Sequence, residues 1–265
     1  MEELLAPPSW GWHKDRLAKA GIEVIDAHVH MGKMQSEGAD ATPEFLLRQA
    51  DLSGTKVMFI TSLRSLFYDT ETGNREAHEV QRRYPGRFVA YATVSSQRFD
   101  KSAQREIRHC FDVYGFRGIK IYSYVEVSIN EPRTVDILKL AAEYGFPVLA
   151  HSEPSECEAL GDKVPEATLI MAHMGNTLLA KGDWNRAIMA AERTENVYLD
   201  ICGSPINVPF LEEACERVGA NRIIFGSDLP LFDQRLQIAK VLDAEITDEE
   251  RRLILGGNIK RLARL

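Results

Sequence analysis

The sequence predicts an α/β protein folded as a (β/α)8 (TIM) barrel with an extra C-terminal helical segment. Eight short apolar runs alternate with segments of helical periodicity, the pattern of eight parallel strands inside a ring of helices. The length of 265 residues also suits such a barrel, which needs about 250. An open doubly wound sheet is the alternative. That fold usually carries a glycine-rich phosphate-binding turn, and no G-x-G-x-x-G or P-loop pattern occurs in the sequence.

The predicted strands are mostly continuous apolar runs, as in strands that are buried on both faces. In chain order they are 22–32 (IEVIDAHVHMG), 56–61 (KVMFIT), 88–94 (FVAYATV), 116–122 (FRGIKIY), 146–151 (FPVLAH), 168–173 (TLIMAH), 197–202 (VYLDIC) and 222–228 (RIIFGSD).

The predicted helices have local start and stop signals, such as Thr42 and Pro43 before one helix and Gly54 after it. They cover residues 14–19, 45–52, 75–84, 101–113, 132–144, 155–160, 184–193, 209–218 and 232–242, with one more from 247. We expect a single domain over 1–265. It begins with a short irregular lead over 1–20.

Two segments are predicted to interrupt the helices. Residues 62–74 (SLRSLFYDTETGN) are expected to form a long polar loop. Gly256 and Gly257 are expected to end the helix that starts with the capping box at Thr247, and Asn258 then caps a last basic turn.

The composition argues against two classes of function, nucleic-acid binding and membrane-spanning proteins. A net charge of −7 without a basic stripe argues against nucleic-acid binding, and no apolar run is long enough to cross a membrane. No secretory signal is present, so we expect a cytoplasmic protein. Short loops suggest a small-molecule substrate and a homodimer or higher homo-oligomer. The cysteines lack a Cys-x-x-Cys pair and are expected to be reduced thiols: Cys110, Cys157, Cys202 and Cys215.

The first strand carries a His-x-His pair. Because side chains alternate along a strand, Asp26, His28 and His30 share one face, with the two imidazoles about 7 Å apart along the backbone. Imidazole is the commonest metal ligand, so the pair can converge on one ion. The alternative is a pair of buried histidines that are only hydrogen-bonded.

Polar residues recur at other strand ends, which in a barrel all lie at the C-terminal mouth where active sites are found. Of the seven histidines, His13, His78 and His109 are expected at the surface, and the other four join this group. Nitrogen and carboxylate donors without cysteine favour a catalytic Zn2+, or Mn2+, Fe2+ or Co2+, over a structural zinc. The group is His28, His30, Lys120, His151, His173 and Asp228.

Together these motifs resemble the amidohydrolase superfamily, in particular its amidohydrolase-2 branch of metal-dependent hydrolases and decarboxylases. The resemblance spans about 22–265 and includes the closing GNIKRL segment. It implies that His28, His30, His151 and Asp228 bind one principal metal ion. It also implies that His173 holds substrate, the metal-bound water or a second ion, and that Lys120 either bridges two ions after carboxylation or makes polar contacts.

The sequence is compatible with two reactions. In the first, metal-activated water attacks a small ester, lactone or amide, with Asp228 and His173 as catalytic residues. In the second, the same metal anchors an aromatic or unsaturated acid that loses carbon dioxide. A non-catalytic barrel is the third possibility. Arg64 and Arg98 are expected to bind an anionic substrate, Tyr122 is expected to bind the substrate at the mouth, and Asp26 is expected to orient a ligand from deeper in the barrel.

Overall fold

A computed structural model describes residues 12–34, 39–95, 100–122, 128–175, 183–203 and 209–265. The strands are β1 (Val24–Met34), β2 (Ala39–Ala41), β3 (Thr55–Ser62), β4 (Phe88–Ala90), β5 (Ala92–Ser95), β6 (Ile119–Tyr122), β7 (Val148–Ala150), β8 (Leu169–Met171), β9 (Val197–Asp200) and β10 (Ile223–Ile224).

The parallel strands close into the predicted barrel. Adjacent strands pair in chain order from β1 to β10, and β4 and β5 are two halves of one strand that is interrupted at Tyr91. The last strand returns to the first: Ala27 N donates to Phe225 O at 3.0 Å and His30 N to Leu229 O at 2.8 Å. Only β2 runs antiparallel, as a short hairpin partner of β1.

The helices surround this barrel and largely match the predicted positions. They are α1 (Trp12–Ala20), α2 (Pro43–Ser53), α3 (Leu63–Phe67), α4 (Thr70–Arg83), α5 (Lys101–Asp112), α6 (Pro132–Tyr144), α7 (Pro154–Lys163), α8 (Trp184–Arg193), α9 (Phe210–Val218), α10 (Gln234–Asp243), α11 (Asp248–Arg252) and α12 (Asn258–Ala263). No helix among the described residues is long and apolar enough to cross a bilayer.

Two expectations for the N-terminal third were wrong. The predicted polar loop 62–74 contains α3 and the first turn of α4, whose N-cap Asp69 accepts a hydrogen bond from Thr72 N. The helix α1 contains the helical turn predicted at 14–19 and packs beside α10. His13 on α1 is therefore buried at 2% exposure, contrary to the surface position we expected. His78 is half-buried against Tyr114, and His109 alone is exposed as expected.

The glycine pair near the C-terminus does not break the helix. Residues Leu253–Gly257 form a π-helical turn that joins α11 to α12. A Cβ on Gly256 would lie 2.5 Å from Glu23 O, so glycine allows this turn to approach β1 closely. Asn258 is not an N-cap. It is buried and its Nδ2 donates to Ala220 O and Ile223 O, both at 2.8 Å, which ties the C-terminal segment to β10.

The barrel interior is a packed core rather than a pore. Tyr91 fills its centre, and its hydroxyl donates to Ala27 O at 3.0 Å. Gly118 makes room for that ring, because a Cβ there would lie 2.6 Å from Tyr91 Cε1. A second, larger cluster of apolar side chains lies between the strands and the helices. All four cysteines are buried and free, as expected.

Candidate metal centre

The ends of β1 and β10 bring three predicted ligands together. His28 and His30 lie on β1 next to a bulge between Asp26 and Val29, and bulges often re-aim side chains near functional sites. Asp228 follows β10 and donates its backbone N–H to His28 O at 2.8 Å. Asp228 Oδ1 lies 3.1 Å from His30 Nε2 and 3.7 Å from His28 Nε2. The three residues can therefore each point one ligand atom at a common ion, within 4.8 Å of one another.

The other two predicted histidines complete a contiguous cluster of rings. The ring centroids of His28 and His173 are 4.9 Å apart, and those of His173 and His151 are 5.3 Å apart. His151 is buried at the end of β7. His173 is half-buried and follows β8. Within the described residues, His151 belongs to neither group of donors whose ligand atoms lie within 4.8 Å. The structure thus brings all four imidazoles to one rim, with His28, His30 and Asp228 the tightest set.

Two site residues have left-handed backbones. His173 has φ 58° and Asp228 has φ 62°, a region that side-chain-bearing residues rarely adopt. Such conformations cost of order 1–3 kcal/mol and persist where the surrounding structure enforces them, most often at functional sites. Both residues are therefore held in place by the fold rather than by local preference.

Hydrogen bonds fix the orientation of His28. Its Nδ1 lies 2.8 Å from Asp200 Oδ2, and its Nε2 lies 2.7 Å from Lys120 Nζ. Because the carboxylate can only accept, Nδ1 carries the proton and Nε2 presents its lone pair to the mouth. This is the tautomer that a metal ligand requires, with a carboxylate behind it. A Cβ on Gly226 would lie 2.5 Å from Asp200 Oδ1 and 2.7 Å from His28 Cβ, so glycine permits this contact.

The donor set fits a divalent cation. His30 Nδ1 and Asp228 Oδ1 are buried and make no hydrogen bond within the described part of the chain. Buried polar atoms of this kind normally have partners, and an ion would supply one for the carboxylate. With His28 and His30, the set offers nitrogen and oxygen donors, which suit Zn2+ or Mn2+.

The pKa values of the candidate ligands are shifted so that each residue is in the protonation state that can bind a metal ion. Burial lowers the pKa of His28 well below its usual value, lowers that of His173, and lowers that of His151 to about 3, so these rings are neutral at pH 7. Burial alone would raise the pKa of Asp228. The hydrogen bond with the His30 ring and the electrostatic influence of the His28 and His173 rings outweigh burial and lower this pKa below its usual range.

Lys120 lies inside the cluster and does not extend to solvent. Its side chain is 1% exposed, with Nζ against His28 Nε2, and burial lowers its pKa to about 8. The ammonium form still dominates at pH 7. The site therefore contains a buried cation, the ammonium of Lys120. This ammonium and a metal ion would compete for the lone pair on His28 Nε2.

Asp26 lies behind the cluster, as the sequence suggested. Its carboxylate accepts hydrogen bonds from Ser227 N at 2.9 Å, Gln234 Nε2 at 2.7 Å and His28 N at 3.1 Å. Burial raises its pKa to about 6. Since these partners belong to β1, the turn after β10 and α10, Asp26 ties together the elements that carry His28 and Asp228.

Sequence reasoning missed Asp200 and Lys240 at this site, and it placed Cys202 near the mouth without giving it a contact. Asp200 ends β9 and is fully buried, and the only sequence signal was an acidic residue inside the run VYLDIC. Cys202 follows it, with Sγ 3.0 Å from His28 Nδ1 and 3.1 Å from His173 Nδ1. Cys202 belongs with His28 and His173 to a second group of possible donors, separate from His28, His30 and Asp228. Lys240 on α10 donates to Ile201 O at 2.7 Å and supports the same turn.

Of the predicted substrate-binding residues, Tyr122 contacts the histidine cluster and Arg64 forms an ion pair elsewhere. Tyr122 stacks on His151 with ring centroids 4.8 Å apart and forms an aromatic wall with Phe67. Arg64 lies on α3 with a largely exposed side chain, and its Nε is 3.0 Å from Glu76 Oε1, so its observed ion pair is outside the histidine cluster. Its role in binding substrate stays a prediction. Arg98 lies outside the described residues.

Comparisons with known proteins show the family and the fold. A family model described as amidohydrolase matches residues 25–265. A search of curated proteins gave no match. Among solved structures, a 2,6-dihydroxybenzoate decarboxylase in complex with 2,6-dihydroxybenzoate has a TM-score of 0.76 and 16% identity, covering 92% of this chain and 100% of its own.

Two further solved structures have the same fold. A 5-carboxyvanillate decarboxylase from Sphingomonas paucimobilis has a TM-score of 0.70 and 15% identity, covering 92% of this chain and 99% of its own. A dihydroxybenzoic acid decarboxylase from Polaromonas sp. JS666, with bound manganese and the inhibitor 2-nitroresorcinol, has a TM-score of 0.73 and 18% identity, covering 92% and 97%. At these identities the likeness establishes the fold.

Proposed function

Because the chain belongs to the amidohydrolase family, we propose that it is a metal-dependent decarboxylase of a small planar carboxylic acid. The observation that carries the choice is the buried ammonium of Lys120 among the candidate metal ligands. A second cation beside a divalent ion favours an anionic substrate, because a buried charge needs a counter-charge. The aromatic wall of Tyr122 suits a flat ring, and three solved structures of this fold are decarboxylases of aromatic acids.

In this proposal His28, His30, His151 and Asp228 hold one ion, either Mn2+ or Zn2+. When bound, the ion would anchor the anionic substrate and hold its ring in place for protonation. Asp200 keeps His28 in the required tautomer. With His28 Nε2 occupied, the ammonium of Lys120 is left to pair with substrate oxygen.

The proton that replaces carbon dioxide passes through Asp228. Its pKa is below the usual range, so the carboxylate is ionised and accepts a proton from a hydroxyl group of the substrate. Asp228 then returns this proton to the ring carbon as the carbon–carbon bond to the carboxyl group breaks and carbon dioxide leaves. His173, whose Nδ1 lies 3.9 Å from Asp228 Oδ2, positions that carboxylate.

Hydrolysis is the second candidate, and the same ionised Asp228 supports it. A carboxylate that stays charged at neutral pH can accept a proton from an attacking water, as hydrolysis of an ester, lactone or amide requires. Neutral substrates of this kind offer no anionic group to pair with the ammonium of Lys120. The decarboxylase proposal accounts for that charge and is therefore preferred.

Carbon dioxide release distinguishes the two reactions. We expect protein loaded with Mn2+ or Zn2+ to release carbon dioxide from at least one hydroxylated benzoic acid in a panel that also contains esters, lactones and amides. Removal of the metal by a chelator should abolish turnover, and adding it back should restore it. Turnover of the neutral substrates without carbon dioxide release would overturn the decarboxylase proposal in favour of hydrolysis.

The titration of Lys120 gives a pH prediction for the active substrate. The ammonium persists below its pKa of about 8 and is lost above it, so KM for the carboxylate should rise about tenfold per pH unit above 8. Lys120→Met should raise KM even at pH 7 and remove this pH dependence. Because an apolar side chain replaces a buried charge, the variant should be as stable as the native protein. A KM that stays constant through pH 8 to 10 in the native protein would contradict the role of Lys120.

A further inference from the structure

A second group of donors lies next to His28, on the side of its Nδ1. Cys202 Sγ lies 3.1 Å from His173 Nδ1 and 2.8 Å from Asp200 Oδ2. Cys202 and Asp200 are fully buried, and the side chain of His173 is 12% exposed. Cys202 Sγ therefore lies within 3.1 Å of both an imidazole nitrogen and a carboxylate oxygen, and the proposed reaction gives this sulfur no role.

The backbone builds this group from two adjacent strand ends. Asp200 and Cys202 follow each other at the end of β9, and Cys202 N donates to Asp200 Oδ1 at 3.0 Å. The left-handed backbone of His173 turns its ring toward them. At Gly203 a Cβ would lie 3.4 Å from His173 Nδ1, so glycine keeps the space beside that nitrogen clear.

The spacing of these atoms is close to that of a tetrahedral metal site. With a metal–sulfur bond of about 2.3 Å and a metal–nitrogen bond of about 2.0 Å, the sulfur and nitrogen of such a site lie about 3.5 Å apart. The observed Sγ–Nδ1 distance of 3.1 Å needs only a small outward movement. Thiolate is a soft donor that selects Zn2+ or Cd2+ over Mn2+, whereas His28, His30 and Asp228 offer only nitrogen and oxygen.

We propose that Cys202, His173 and Asp200 form a second metal site, selective for a thiophilic ion such as Zn2+ or Cd2+, beside the His28, His30 and Asp228 group. On binding, the Cys202 thiol releases its proton to solvent and the sulfur bonds to the ion. His28 stays with the first group, because its protonated Nδ1 donates to Asp200. Occupancy fixes His173, which contacts Asp228, so an excess of Zn2+ should inhibit the enzyme.

Cadmium alone is a suitable probe, since its thiolate bond absorbs in the ultraviolet. We expect titration of the Mn2+-loaded protein with CdCl2 to give this absorption band, saturating at one equivalent, while the manganese content after desalting stays constant. Cys202→Ala should remove the band and weaken Cd2+ binding about 100-fold, because the soft donor is lost. His173→Asn should weaken binding while keeping the band, since the sulfur remains.

A matched control uses another buried cysteine. Cys215→Ala, on α9, should leave both the band and the Cd2+ affinity unchanged. Circular dichroism of each variant establishes that it is folded before titration. Three results would each overturn the proposal of a separate thiophilic site. They are absence of the absorption band, persistence of the band in Cys202→Ala, and release of one Mn2+ for every Cd2+ bound.

Discussion

Asp228→Asn should reduce kcat/KM at least about 10³-fold, a loss of roughly 4 kcal/mol of transition-state stabilisation. Two effects act together. The amide cannot offset the charge of an ion bound by His28 and His30, and it cannot accept or return a proton. The fold should be preserved, because the backbone N–H of residue 228 still donates to His28 O.

The measurements for Asp228→Asn are kcat/KM, metal content by elemental analysis, and thermal unfolding. Asp243→Asn is the matched control, because this carboxylate lies on α10 with 62% of its side chain exposed and pairs only with Arg16 among the described residues. It should leave activity and metal content unchanged. If Asp228→Asn kept native activity and metal, the role given to Asp228 would be wrong.

Asp200→Asn should weaken metal affinity 10- to 100-fold although Asp200 is not one of the proposed ligands of the first ion. The carboxylate accepts the Nδ1 proton of His28 at 2.8 Å and so keeps the Nε2 lone pair directed to the mouth. The amide of Asn can donate to Nδ1 instead, which favours the tautomer with its proton on Nε2. That tautomer cannot bind a metal through Nε2.

A second variant separates this effect from loss of charge. Gly226→Ala keeps Asp200 but would place a Cβ 2.5 Å from its Oδ1 and 2.7 Å from His28 Cβ. If the contact between Asp200 and His28 is needed for metal binding, both variants should lose metal affinity to similar degrees in a competition titration with a chelator. Native affinity in Asp200→Asn, with the variant folded, would refute the positioning role.

The fold was largely predictable because its signals are local. Apolar runs and caps depend on neighbouring residues, so α6 and α8 were located to the residue, and Thr247 was identified as the start of α11. The errors occurred where local signals were overridden. Gly256 and Gly257 signal a helix end, but close packing of this turn against Glu23 keeps the segment helical.

By itself the sequence determined the barrel and the rim at which His28, His30, His151, His173 and Asp228 gather, because parallel strands of a barrel all end at one face. Only the tertiary structure decided the surroundings of these residues. His28 and Asp200 are 172 positions apart, and Lys120 meets His28 across 92. No periodicity encodes such a contact, since it depends on how the closed sheet brings distant strand ends together. The tautomer of His28, the burial of Lys120 and the position of Cys202 therefore follow from the fold alone.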